Sequence, residues 1–215
     1  AFILTNAGRL IALDLATQGQ VSIGEAVPNA SAVSVSPWGR LFVTAAGQIR
    51  EYDTTAPFAL KGAKPLSAGR TPGKLYFTLD GRYALARNLV DVTSPGPSLF
   101  LFDLQPGGTG GLYPPFAVQP NDLEFKESWL DAQRLQVDDV ASVGASDWIF
   151  LVKSTGKIYR TRVNEAGGLQ GPMPQFSIGN PLKEVTGIAS SAQKPTPASF
   201  FYTTSNMLNR VDLPT

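Results

Sequence analysis

Apolar and polar positions alternate most clearly between residues 31 and 53. Ala32, Val33 and Val35 sit among Ser31, Ser34 and Ser36, and Pro37-Trp38-Gly39 then interrupts the run. Proline presets φ for a turn, and glycine accepts the positive φ that closes a hairpin. Leu41, Phe42 and Val43 follow, then a second turn at Ala46-Gly47, then residues 48–52 ending at Asp53. β-branched and aromatic runs bounded by turn residues predict strands, here three antiparallel ones forming a meander. No segment in this stretch shows the three-to-four-residue apolar spacing of a crossover helix.

The pattern recurs. Strands ending like this one read Arg9 to Asp14, Gln48 to Asp53, Ser98 to Asp103, Lys157 to Arg162 and Met207 to Asp212. The spacings between their last residues are 39, 50, 59 and 50, and the fourth copy carries Arg162 in place of aspartate. Each is preceded by an apolar strand: 2–5, 41–44, 83–86, 148–153 and 200–203. Before four of these lies a further strand, at 32–36, 74–79, 135–143 and 184–190. After four of the Asp-type strands comes a looser stretch, at 21–27, 58–61, 112–118 and 173–178, where proline suits an edge position. With strands lettered a to d from inside out, the chain reads b-c-d, then a-b-c-d three times, then a-b-c. The units are 1–27, 31–61, 71–118, 135–178 and 184–215. The b and c strands carry adjacent apolar residues, as in Leu99-Phe100-Leu101-Phe102, which suits strands buried on both faces.

These residues resemble the β-propeller repeat families, nearest to the YVTN-type and WD-repeat patterns. Residues 34–44 are similar to the YVTN-type core, and residues 78–85 to a second copy, with Gly39-Arg40 and Gly81-Arg82 at equivalent turns. The later units lack that Gly-Arg turn, and the Trp-Asp ending of the WD type is absent. The resemblance implies an all-β propeller of about five four-stranded antiparallel blades, incomplete at both ends. A five-bladed ring and an arc of a six- or seven-bladed ring are both compatible with it. The chain opens directly in a strand, which is the expectation for an arc cut from a longer protein.

Composition narrows the chemistry. Of 215 residues, 21 are glycine and 17 proline, and only 16% are charged, as suits a turn-rich all-β chain. Lys plus Arg (18) nearly balances Asp plus Glu (17). No basic block exists to follow a phosphate backbone, so no nucleic-acid partner is expected. Cysteine and histidine are absent, which removes disulfides, thiolate and imidazole catalysis, and the usual zinc or copper sites. No run approaches the roughly 18–20 apolar residues of a membrane helix. Composition and the family resemblance together favour an extracytoplasmic location, periplasmic or secreted.

Candidate binding chemistry lies in two long loops, 88–97 and 120–134, which the strand order places on one rim of neighbouring units. They gather Asn88, Asp91, Asp122, Glu124, Lys126, Trp129 and Asp131, with Arg87 adjoining. The second loop has helical spacing at Leu123, Lys126-Glu127 and Leu130, with Asn121 or Asp122 as N-cap. The functional reading is an aromatic platform with carboxylates; the plain one is two solvated surface loops, whose length costs little entropy. Asp138 and Asp139, with Glu184, are weak candidates for an oxygen-ligated calcium or magnesium ion, lacking the spacing of a dedicated calcium loop. Trp38 is expected to pack at a hairpin on the opposite rim, Trp148 to lie in the core, and Trp129 to be exposed. Asn29-Ala30-Ser31 is a glycosylation acceptor pattern. Residues 107–111 are glycine-rich but precede no helix, so they read as a turn rather than a phosphate loop.

Three functions fit. One is a non-catalytic binding or scaffold module that needs no cofactor and holds a protein or glycan partner on one rim. The second is a lactonase-type hydrolase using calcium, with Asp138, Asp139 and Glu184 as ligands. The third is a structural repeat domain of a larger surface protein.

Overall fold

A computed structural model describes residues 1–66, 71–79, 81–89, 99–104, 137–143, 147–153, 157–162, 173–177, 185–190, 199–204 and 207–212. Among these there is no helix, and the 17 strands form five antiparallel sheets. The first sheet holds β1 (Phe2–Leu4), β2 (Leu10–Leu13) and β3 (Gln20–Ile23). The second holds β4 (Ala30–Val35), β5 (Leu41–Ala45), β6 (Gln48–Tyr52) and β7 (Leu60–Pro65). The third holds β8 (Tyr76–Phe77), β9 (Tyr83–Arg87) and β10 (Leu99–Asp103). The fourth holds β11 (Asp139–Val143), β12 (Asp147–Val152), β13 (Lys157–Arg162) and β14 (Met173–Ser177). The fifth holds β15 (Gly187–Ser190), β16 (Ser199–Thr203) and β17 (Leu208–Asp212). Within every sheet, strands that follow in sequence pair with each other, so each sheet is a simple meander.

Bounds differ from the sequence pattern mainly in the first and last strand of a sheet. The expected 74–79 strand contracts to Tyr76–Phe77, because Thr78 turns the chain: its hydroxyl accepts from the Tyr83 amide at 3.0 Å and Gly81 N–H closes on its carbonyl at 2.9 Å. The outer strand of the second sheet begins at Leu60, past a turn in which Phe58 N–H donates to Thr55 O at 2.8 Å. The stretch 112–118 and the 120–134 loop with its helical spacing lie outside the described residues.

The sheets pack face to face in chain order, and alternate residues of each middle strand feed different cores. Leu41, Val43 and Ala45 of β5 pack with Leu10 and Ile23 of the first sheet. Phe42, between them in sequence, packs instead with Ala84, Ala86, Phe100 and Phe102 of the third. Leu85 and Leu101 turn to Trp148, Phe150 and Val152 of the fourth sheet. Ile149 and Leu151 turn to Ile188 and Phe200 of the fifth. This is why β5 and β12 are buried at every position although their side chains alternate in direction. Each fully buried Phe or Leu contributes about 1.5–3 kcal/mol. Trp148, as expected, is wholly buried, and its indole N–H donates to Tyr76 O across the sheet boundary at 2.7 Å.

The two Gly-Arg turns touch each other. Gly81 has φ +67°, and a Cβ there would lie 2.4 Å from Trp38 Cδ1, so the Trp38 indole lies on the backbone of the next sheet's turn. Trp38 keeps 61% of its surface exposed in that position.

Candidate functional site

The hydrogen-bond register fixes which ends of the strands share a rim. Arg87 closes β9, and Asn88 follows it and bridges to Pro72 at the start of the same sheet. The Asn88 Oδ1 accepts from the Thr71 amide at 3.2 Å. Asp138 and Asp139 stand at the start of β11, in the fourth sheet. Antiparallel pairing therefore puts the end of β9 and the start of β11 on one rim, and Arg87 Nη1 donates to the Asp138 carbonyl at 2.6 Å. Two groups of candidates, separated by some fifty residues, thus meet at the junction between the third and fourth sheets.

Both carboxylates are engaged there by the backbone. Asp138 Oδ2 accepts from the Lys153 amide at 2.7 Å. Asp139 Oδ1 accepts from the Val140 amide at 2.9 Å and, at 3.5 Å, from the Tyr76 hydroxyl. Its Oδ2 accepts from the Ile188 amide at 2.9 Å. One aspartate so links the inner strands of three successive sheets. Gly187 leaves room for it, since a Cβ there would stand 3.3 Å from Asp139 Oδ2. Burial, and then the Asp139 charge, push the Tyr76 hydroxyl up to about 12, while the Arg87 charge opposes them. Among the described residues no group of three His, Cys, Asp or Glu side chains stands ready to hold a metal ion. Asp91, Asp122, Glu124, Lys126, Trp129, Asp131 and Glu184 lie outside the described residues.

Residues that sequence reasoning passed over complete the corner. Lys74 Nζ stands 5.6 Å from the centre of the Tyr76 ring. Leu89 is exposed beside Arg87. Gly73 N–H donates to Arg87 O at 2.9 Å. Their only signal in the sequence is proximity to an inner strand that the pattern drew too long.

Five antiparallel meanders stacked face to face make this chain an incomplete β-propeller. Solved structures of the same fold are similar throughout. The β-propeller domain of Cps50 (Swd1) from Myceliophteria thermophila matches with TM-score 0.64 and 14% identity, over 96% of this chain and 63% of that one. The dihydro-heme d1 dehydrogenase NirN matches with TM-score 0.59 and 14% identity, over 99% of this chain and 40% of that one. Virginiamycin B lyase from Staphylococcus aureus matches with TM-score 0.51 and 11% identity, over 97% of this chain and 64% of that one. This chain therefore spans less than two thirds of each of these proteins. At such identities the likeness is one of fold. No protein-family model matches the sequence, and no curated protein sequence matches it.

Proposed function

We propose that this propeller is a non-catalytic binding module that engages a partner, protein or glycan, on the rim where β9 ends and β11 begins. The observation that carries the reading is the meeting of Arg87 with Asp138 across two sheets, at 2.6 Å. It brings Arg87, which adjoins residues 88–97 in sequence, to the inner strand that follows residues 120–134 in the chain. A rigid sheet scaffold presenting loops is the usual way a fold offers a recognition surface. The missing histidine and cysteine favour binding over nucleophilic catalysis. An extracytoplasmic site of action belongs to the same reading.

The test is a combined glycan and peptide array probed with the intact chain and with Trp129→Ala. The expected result is a discrete set of ligands whose signal falls at least about tenfold in the variant, as an aromatic anchor would give, with Tm within a few degrees. A blank array, or ligands indifferent to Trp129, overturns the proposal. A thermal-shift titration with calcium tests the rival reading: a large stabilisation would favour a metal-dependent enzyme.

A further inference from the structure

The junction corner holds two cations, Arg87 and Lys74, beside the carboxylates of Asp138 and Asp139. Arg87 is half-buried, and among the described residues no carboxylate lies within ion-pair distance of it. Its hydrogen bond goes to a neutral group, the Asp138 carbonyl. A guanidinium has five N–H donors in a fixed fork, so one such bond orients it and leaves most of the fork available. Two acids at the corner keep their charge but face other donors: Asp138 Oδ2 accepts from the Lys153 amide, and Asp139 accepts from the Val140 and Ile188 amides and the Tyr76 hydroxyl. A second cation, Lys74, is exposed over the Tyr76 ring.

The corner is also shaped. A Cβ on Gly73 would stand 3.2 Å from Leu89 Cδ2 and 3.5 Å from Arg87 Cγ, so glycine lets the Arg87 stem and the Leu89 side chain lie together against the backbone. Leu89 remains 41% exposed. The rim thus offers an oriented guanidinium, a second cation and an apolar side chain within one corner.

We infer that this corner receives a carboxylate of an acidic peptide partner, with Arg87 holding the carboxylate, Lys74 adding attraction and Leu89 packing on a neighbouring apolar side chain. Planar bidentate pairing is what arginine does best with carboxylates, and the exposed leucine favours a peptide over a sugar acid. This rests on the rim-binding function proposed above and supplies the chemistry of its partner.

The probe is a capped octapeptide of alternating glutamate and leucine, compared by fluorescence anisotropy with the same peptide carrying glutamine. The glutamate peptide is expected to bind about tenfold more tightly or better, with affinity falling as salt rises. Arg87→Gln is expected to abolish that preference, and Lys74→Gln to reduce it a few-fold. Arg87→Lys, which keeps the charge without the fork, should retain only part of it. Arg50→Gln, on β6 of the second sheet, should leave it intact. Thermal melts of each variant verify the fold, and Arg87→Lys keeps the test alive if Arg87→Gln unfolds.

Equal binding of the two peptides, or a preference that survives Arg87→Gln, overturns the inference. If that happens while Trp129→Ala still weakens array ligands, only the carboxylate assignment falls and the rim-binding function stands. If an acidic glycan is the array ligand that depends on Arg87, the partner class is wrong. A blank array together with equal peptide binding sinks both.

Discussion

In the second sheet Arg40, just ahead of β5, places its Nε 2.8 Å from Glu51 Oε1 on β6. In the fourth, Asp147, the first residue of β12, accepts from Arg160 Nε on β13 at 2.7 Å. The two pairs occupy the same place in the register. Arg40 precedes Leu41, which faces Tyr52, and Glu51 faces Phe42. Asp147 precedes Trp148, which faces Thr161, and Arg160 faces Ile149. In the second sheet an arginine meets Glu51 of the facing strand, while Asp53 pairs with Lys61; in the fourth an aspartate meets two arginines, Arg160 and Arg162. Between the Arg40–Glu51 and Asp147–Arg160 pairs the signs are reversed and the register is kept. A buried strand end needs a complementary pair, and either orientation meets that need. Arg162, which breaks the run of aspartates at its position, faces Asp147, whereas Asp103 and Asp212 face the uncharged Tyr83 and Ser199.

The pairs differ in depth. Arg40 and Glu51 side chains are 5% and 1% exposed, whereas Arg160 and Asp147 are 16% and 8% exposed. Arg40 also reaches into the third sheet, donating Nη1 to Leu104 O at 2.6 Å, and stacks 5.0 Å over the Phe42 ring. The deeper pair should therefore be the more costly to break. Glu51→Ala strands a buried guanidinium and is expected to lower stability by about 3–5 kcal/mol in urea denaturation. A loss below about 1 kcal/mol would show that Arg40 finds other compensation. Asp147→Ala is expected to cost about 2 kcal/mol, because Arg160 and Arg162 lie nearer to solvent. The combined Asp147→Arg and Arg160→Glu exchange, which rebuilds the second sheet's polarity in the fourth, should recover about 1 kcal/mol relative to the sum of its two single changes. No recovery would break the equivalence of the two sites. Arg162→Ala, with a side chain 42% exposed, should change stability by no more than about 0.5 kcal/mol.

Much of the architecture was legible in the chain. The repeated aspartate-ended strand, the turns at Pro37-Trp38-Gly39 and Ala46-Gly47, and the adjacent apolar residues of β5, β10 and β12 lead directly to stacked meanders. These are local signals: the period of a strand, the φ of a turn, and the absence of a wet face. The site was legible only by location. Arg87 and Asn88 belong to the expected rim, and Asp138 and Asp139 to the start of an inner strand as candidate metal ligands, yet nothing in the sequence marks Lys74 or Tyr76, and nothing shows which group faces which.

The order of strands within each sheet, and the burial of both faces, were determined by the amino-acid sequence alone, because pairing here runs between neighbours in the chain. The tertiary structure decided the rest. Arg87 meets the Asp138 carbonyl, Asp139 meets the Ile188 amide, and Trp38 settles on Gly81, each across a boundary between sheets. Those encounters depend on how far one sheet is rotated against the next, and that rotation comes from packing many side chains at once. Such a quantity is set by the sum of the cores, so no short stretch of residues contains it.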